Sequence, residues 1–253
     1  MAVNLQRAAG IAASLGTVLV IWFLVTRFKL INPALFPSPM DTFSALVEMI
    51  QNGIFFSDLA ASLTRAAIGF AIGSVLGVLV GLLTARVAAV QFILGPFLTV
   101  LRPIPAIALV PIAIVWFGIG EGSKYFVIAY TVFLAVWLNT HHGMERIPRT
   151  FVLASRVLGA SRVREFIEVI IPAAAPYIVA GLRMGSALAF LSLVAAELSG
   201  ASSGIGYRLQ EARQYIRTDI MFVGLIELGI LGALLDAGFV AISKRVIHWE
   251  DHA

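Results

Sequence analysis

The chain has 253 residues, of which 60% are hydrophobic and 13% charged, with a net charge of +4 and no cysteine. A soluble domain carries roughly 25% charged residues, and half that amount cannot coat a surface facing water, so a soluble globular protein is excluded. The missing cysteines exclude disulfides, thiol nucleophiles and thiolate metal sites, and basic residues scattered among apolar runs argue against nucleic acid.

Spanning a bilayer takes about 20 apolar residues, so the gaps between charges measure the crossings. They predict six membrane helices, at roughly 9–28, 59–85, 91–118, 124–141, 172–198 and 219–243. The first starts after Arg7 and ends at Thr26-Arg27-Phe28-Lys29 without a small-residue cleavage site, so it reads as a retained helix and not a secretory signal. Residues 30–58 open with Asn32-Pro33 and Pro37-Ser38-Pro39, then run amphipathically through Phe43, Leu46, Val47 and Ile50. This predicts a short interfacial helix ended by Asn52-Gly53. The chain therefore divides into 1–58, a membrane helix with an outer amphipathic segment, and 59–253, the core.

The second membrane helix has glycines at 69, 73, 77 and 81, all on one face, where another backbone approaches closely in a bundle. The third contains Arg102-Pro103-Ile104-Pro105 and then Pro111. Proline removes a donor and clashes with the preceding turn, so this helix is broken or kinked. Interrupted helices often line a transporter's substrate path, though packing alone accounts for a kink equally well. The fourth ends at His141-His142, which with Glu145 forms the one cluster suggestive of catalysis; it reads as the solvated start of a loop.

The loop 143–171 is the most informative stretch. Thr150 to Leu158 is helical in composition, Gly159 suits the position after a helix end, and Ser161 can cap a second helix through Arg164, Phe166 and Ile170. Phe151, Val157, Leu158 and Phe166 interleave with Arg156, Arg162 and Arg164, giving a compact basic knob with an apolar tip. Such a knob suits the groove of a soluble partner or an anionic lipid surface.

Beyond Pro172, charges interrupt the apolar runs. Arg183 and Glu197 share a helix face but lie about 21 Å apart along the axis, so each needs a partner elsewhere or a wet cavity. A charge facing lipid costs at least about 2.5–3.5 kcal/mol. Glu227 and Asp236 face different neighbours. Glu197 and Glu227 are the stronger candidates for a pathway or gate; Arg102, Pro103, Pro105 and Arg183 complete the candidate substrate pathway. Residues 204–218, with Tyr207, Leu209, Ala212 and Tyr215 among charges, predict a second outer amphipathic helix. With the N-terminus inside, inner segments hold nine Lys/Arg and outer ones six, which favours cytoplasmic N- and C-termini. No G-x-x-x-x-G-K-[ST] occurs, so ATP is not expected to bind this chain. The remaining histidines, His248 and His252, lie in the tail and form no metal-binding spacing; no catalytic residue, metal or cofactor is expected.

Leu158-Gly159-Ala160-Ser161 followed by Val169-Ile170-Ile171-Pro172 resembles the cytoplasmic E-A-A-x3-G-x9-I-x-L-P loop of ABC importer permeases. Gly159 stands at the glycine, Val169 and Ile171 at the aliphatic positions and Pro172 at the proline. Leu153-Ala154-Ser155 stands where Glu-Ala-Ala is usual, and leucine cannot make the glutamate's polar contacts. Further blocks are Leu35-Phe36-Pro37-Ser38-Pro39, Ser62-Leu63-Thr64-Arg65, Leu101-Arg102-Pro103-Ile104-Pro105, Trp116-Phe117-Gly118-Ile119-Gly120-Glu121, Ala195-Ala196-Glu197-Leu198 and Arg217-Thr218-Asp219. In this order they resemble the nitrate/sulfonate/taurine/bicarbonate group of permeases.

The resemblance implies an all-α integral membrane protein with six transmembrane helices and the type I ABC importer (MetI-like) fold. It implies half of a homodimeric pore in a bacterial cytoplasmic membrane, importing a small anion. Two ATPase subunits would engage Ala154, Arg156, Leu158, Gly159, Ala160, Ser161 and Arg162, and an extracytoplasmic solute-binding protein would deliver the solute. A secondary transporter or channel for a small anion would share the hydropathy but would need no inner helical knob.

Overall fold

The computed structural model describes residues 2–246, and His248 and His252 lie outside them. Every regular element in that range is helical: α1 (Ala2–Arg27), α2 (Pro39–Gln51), α3 (Ile54–Arg86), α4 (Ala88–Leu101), α5 (Ala106–Phe117), α6 (Glu121–Glu145), α7 (Arg149–Val157), α8 (Arg162–Arg164), a π-helical stretch Glu165–Ile170, α9 (Ile171–Gly200), α10 (Ile205–Gln214) and α11 (Thr218–Val246).

The core is a sandwich of α3, α6 and α9. Ala66, Ile128, Val132, Val136, Ala189 and Leu193 form its buried centre. The glycine stripe of α3 lies against α6 so closely that an added Cβ at Gly73 would stand 2.5 Å from the Ala129 carbonyl oxygen. Gly69 meets Ile128, Gly77 meets Val136 and Gly81 meets Thr140, so α3 and α6 run parallel. The chain between them, 87–120, must therefore return from one end of the core to the other. It does so as α4 and α5, bent by 108° at the Arg102–Pro105 break. Tyr130 of α6 pins this bend by donating to the Leu101 carbonyl at 2.7 Å.

Gly181 meets Asn139 and Gly185 meets Val132, so α9 runs antiparallel to α6. Arg183 meets Asp236 while Val194 and Leu228 share a cleft further along, so α11 reverses again. The end of α1 lies by the start of α11, with Trp22 and Phe222 ring centroids 5.6 Å apart. Direction thus reverses from α6 to α9 and again to α11, while the bent α4–α5 pair carries the chain back between the parallel α3 and α6.

By length and composition, three helices can cross a membrane: Ile54–Arg86, Arg162–Leu198 and Thr218–Ala241. The bent α4–α5 pair makes a fourth if it counts as one span, and α1 offers a shorter apolar stretch, Ala13–Arg27. The fourth predicted crossing, α6, is not among them. It carries Glu121, Lys124, His141, His142 and Glu145, and it is sheathed by protein on both sides, which frees it from the need to be apolar throughout.

Boundaries moved for the same reason. α3 starts at Ile54, not 59, because Asp58 and Ser62 face protein, and α6 continues to Glu145, so the His141-His142 pair sits in a helix and not at the start of a loop. The two short amphipathic helices, α2 and α10, fall where the sequence predicts them. In α2, Ser38 and Asp41 form a reciprocal capping box, and Gly53 beyond its end has φ +71°.

Candidate functional site

The knob lies at the end of the core where α3 and α6 finish and α9 begins. α7 ends in a Schellman motif: the Gly159 N–H donates to the Arg156 carbonyl and the Ala160 N–H to that of Ser155. This requires a left-handed residue, and Gly159 has φ +79°. Two residues on, the Ser161 side chain caps α8 by accepting from the Arg164 N–H. The helix then passes through the π stretch into α9 without a break. Pro172 lacks an N–H, and just before it the chain is π-helical, the Ile171 N–H donating to the Phe166 carbonyl.

Glu165 stiffens this arrangement. Its buried carboxylate accepts from Arg156 Nε at 2.6 Å and Nη2 at 3.2 Å, and lies 3.7 Å from Arg86 Nη2 at the end of α3. Arg86 also sits 5.8 Å over the Phe166 ring. The Glu165 hydrogen bond and charge hold the Arg156 guanidinium above its ordinary pKa. The knob is thereby tied both to α3 and to the root of α9. Its tip is bare: Val157 is 87% and Leu158 86% exposed, with Phe151, Leu153, Val163 and Ile167 exposed beside them. Ala154, Gly159, Ser161 and Arg162 are also exposed.

At the opposite end of the core lies a buried polar lock centred on Arg65. Its Nε and Nη2 reach Glu121 at 2.6 and 2.9 Å, while Nη1 reaches Glu197 at 2.7 Å and the Ser203 carbonyl at 2.6 Å. Glu197 also accepts from Ser62 Oγ at 2.8 Å and from the Gly206 N–H at 2.8 Å. Asp58 accepts from the Gly204 N–H and from Arg208 Nε, each at 2.8 Å. Burial pulls the Arg208 guanidinium down in pKa, but the Asp58 hydrogen bond and the charges of Asp58 and Glu211 more than offset it. Gly204 has φ +114°, and a Cβ there would stand 2.4 Å from Glu197 Oε1. The lock clamps the 201–206 turn and α10 onto α3, α6 and α9.

The candidate pathway residues are therefore separated. Glu197 is 1% exposed, with both carboxylate oxygens engaged by protein donors. Arg183 forms a two-point pair with Asp236 of α11, at 2.6 and 2.9 Å, which supplies the partner on another helix that its position demanded. Glu227 faces α1 and α2, lining an apolar cleft with Trp22, Phe43 and Phe55, and its Oε1 is buried without a hydrogen bond. Arg102 and Pro105 line a different cleft, of about 290 Å³, between the α4–α5 break, α6 and α9. Pro103 lies in the break itself.

Arg65, Asp58 and Glu165 were missed as site residues. One signal was present: 58, 62 and 65 continue the register of the glycine stripe at 69, 73, 77 and 81, so polar groups on that face had to be buried. Glu165 had no such signal. His141 is buried at the base of the core, its Nδ1 3.0 Å from Thr84 Oγ1, and Trp137 Nε1 donates to that hydroxyl at 3.1 Å. These contacts hold α3 to α6.

Residues 73–248 match the family described as "Binding-protein-dependent transport system inner membrane component". An ABC transporter permease protein of Brucella abortus is 37% identical over 232 residues, covering 92% of each chain. The taurine transport system permease protein TauC of Escherichia coli is 32% identical over 94% of this chain and 88% of its own. The nitrate import permease protein NrtB of Synechocystis is 33% identical over 93% of this chain and 88% of its own. A chain of the inward-facing MetNI methionine ABC transporter shares the fold, with a TM-score of 0.61 over 80% of this chain and 98% of that one, at 22% identity.

Proposed function

The chain belongs to the family of binding-protein-dependent transport system inner membrane components, and from that premise we propose that it is half of the pore of an ATP-driven importer. The solute is a small oxyanion of the sulfonate, taurine or nitrate kind, in keeping with its relatives' names. The pore is a homodimer. Two separate subunits hydrolyse ATP, and an extracytoplasmic protein delivers the solute.

The observation that carries this reading is the knob. A rigid helical projection with an 86–87% exposed apolar tip, braced by Glu165 against both α3 and α9, is a handle for another protein. Val157 and Leu158 supply the apolar contact and Gly159 and Ser161 the turn. Arg156, whose head is occupied by Glu165, keeps the handle stiff. Closing of the ATPase pair moves the knob, and its continuity with α9 transmits that motion into the core as a rocking of packed helices.

The reading takes six crossings, α1, α3, the α4–α5 pair, α6, α9 and α11, and is supported by the return of the chain through α4–α5 between the parallel α3 and α6 and by the reversals at α9 and α11. The knob end is cytoplasmic by its arginines, which puts both termini inside, and α2, α10 and the Arg65 lock outside. Glu197 is a member of that lock, Arg183 a tie to α11, and Glu227 a residue of the α1–α2 side. The pathway runs past the break at Arg102, Pro103 and Pro105.

The test is reconstitution in proteoliposomes with both ATPase subunits and the solute-binding protein. ATP hydrolysis should rise with loaded binding protein, and solute should accumulate only with all components present. Solute flux down its gradient through the purified chain alone, without nucleotide, would establish a channel or secondary transporter instead.

A further inference from the structure

A cation held at membrane depth needs a counter-charge, since lipid supplies none. Arg65 has Glu197 and Glu121, Lys124 has Glu121, and Arg183 has Asp236. Among the described residues, Arg102 has no acid within ion-pair distance, and no side-chain hydrogen bond holds its guanidinium.

Its place makes that absence informative. Arg102 lines the cleft with Tyr130, Thr131 and Leu134 of α6 and with Met184 and Leu188 of α9. Those residues fall at the middle of helices running from 121 to 145 and from 171 to 200, so the cleft opens about half-way along the core, with Arg102 exposed at its wall. No acidic residue lines the cleft among the described residues. The hydroxyls of Tyr130 and Thr131 already donate to the Leu101 and Val127 carbonyls. The donors left are the guanidinium and the Ala106 amide at the start of α5, which has no intrahelical acceptor and no side-chain cap. Irregular backbone at this depth is tolerated where it lines a cavity.

We propose that Arg102 is a binding station for a small oxyanion half-way along the conduit. Two oxygens of a sulfonate or nitrate accept from the planar fork of the guanidinium. The cleft holds an anion and offers nothing to a cation, so a simple alkanesulfonate is preferred over a zwitterion that carries an ammonium group. This rests on the importer reading for the solute's class, but binding to the chain can be measured without transport.

The experiment is calorimetric titration of methanesulfonate into the purified full chain in lipid nanodiscs at low chloride. Saturable binding is expected, weakened about tenfold or more in Arg102→Gln, because a charge-assisted hydrogen bond is lost. Arg102→Lys should retain part of it, and Arg27→Gln, at the exposed end of α1, all of it. The neutral isostere dimethyl sulfone should not compete. As no ion pair or side-chain hydrogen bond holds Arg102 among the described residues, Arg102→Gln should unfold at the wild-type temperature. Equal affinity in Arg102→Gln, competition by the sulfone, or no binding to the folded wild-type chain would each overturn the station. Arg102-dependent binding in a complex that transports no anion would uphold the station and refute the importer reading. Transport without Arg102-dependent binding would do the reverse.

Discussion

At Gly159 the backbone is left-handed, and nothing lies within 4 Å of where a Cβ would be, so the glycine serves conformation and not space. A side chain in that region costs about 1–2 kcal/mol, enough to re-aim the exposed turn but not to unfold a membrane bundle. Gly159→Leu should therefore reach the membrane at normal abundance, as an immunoblot of membranes reads, while ATP hydrolysis ceases to respond to loaded binding protein. Gly204 is the opposite case, since both its φ and its contact with Glu197 exclude a side chain. Arg65 joins two acids, and removing one member of a buried ionic network costs about 3–5 kcal/mol. Arg65→Gln should accordingly lower the thermal unfolding midpoint by many degrees, and an unchanged midpoint would show that the lock is not structural. Gly159 and Ser161 were readable because a helix end and a helix cap are local. Arg65 with Glu197 was not, because its partner is 132 residues away and pairing across helices leaves no mark in either segment.

Among the elements, α3 shows how one face serves two purposes. Its first third presents Asp58, Ser62 and Arg65 to the lock, and the remaining two thirds present glycines to α6. Gly73→Leu should block this contact, because even a Cβ meets the Ala129 carbonyl oxygen at 2.5 Å. The expected result is loss of folded protein from membranes, with Gly73→Ala intermediate between Leu and wild type. The brace between α7 and α9 predicts a different defect. Glu165→Gln removes the charge that holds Arg156 and Arg86, so the protein should fold, retain its ATPase subunits on purification, and show reduced solute-stimulated hydrolysis. Sequence periodicity revealed the glycine stripe, the outer amphipathic helices and the break at Arg102–Pro105. It did not reveal how α6 differs from its neighbours, because a helix enclosed by protein need not look like a helix enclosed by lipid.

Over the whole molecule, the knob and the lock mark opposite ends of one packed α3–α6–α9 core. On the proposed function, the Gly159 turn is the cytoplasmic handle by which an ATPase drives the core. The chain contains no cysteine, so a single introduced thiol gives an unambiguous report. The decisive measurement is cross-linking from Leu158→Cys in membranes of cells expressing the complete transporter, combined with labelling of that thiol by a membrane-impermeant maleimide. The expected result is a cross-link to the ATPase subunit and labelling only in inside-out vesicles. Labelling of intact cells from outside, with no ATPase captured, would contradict it.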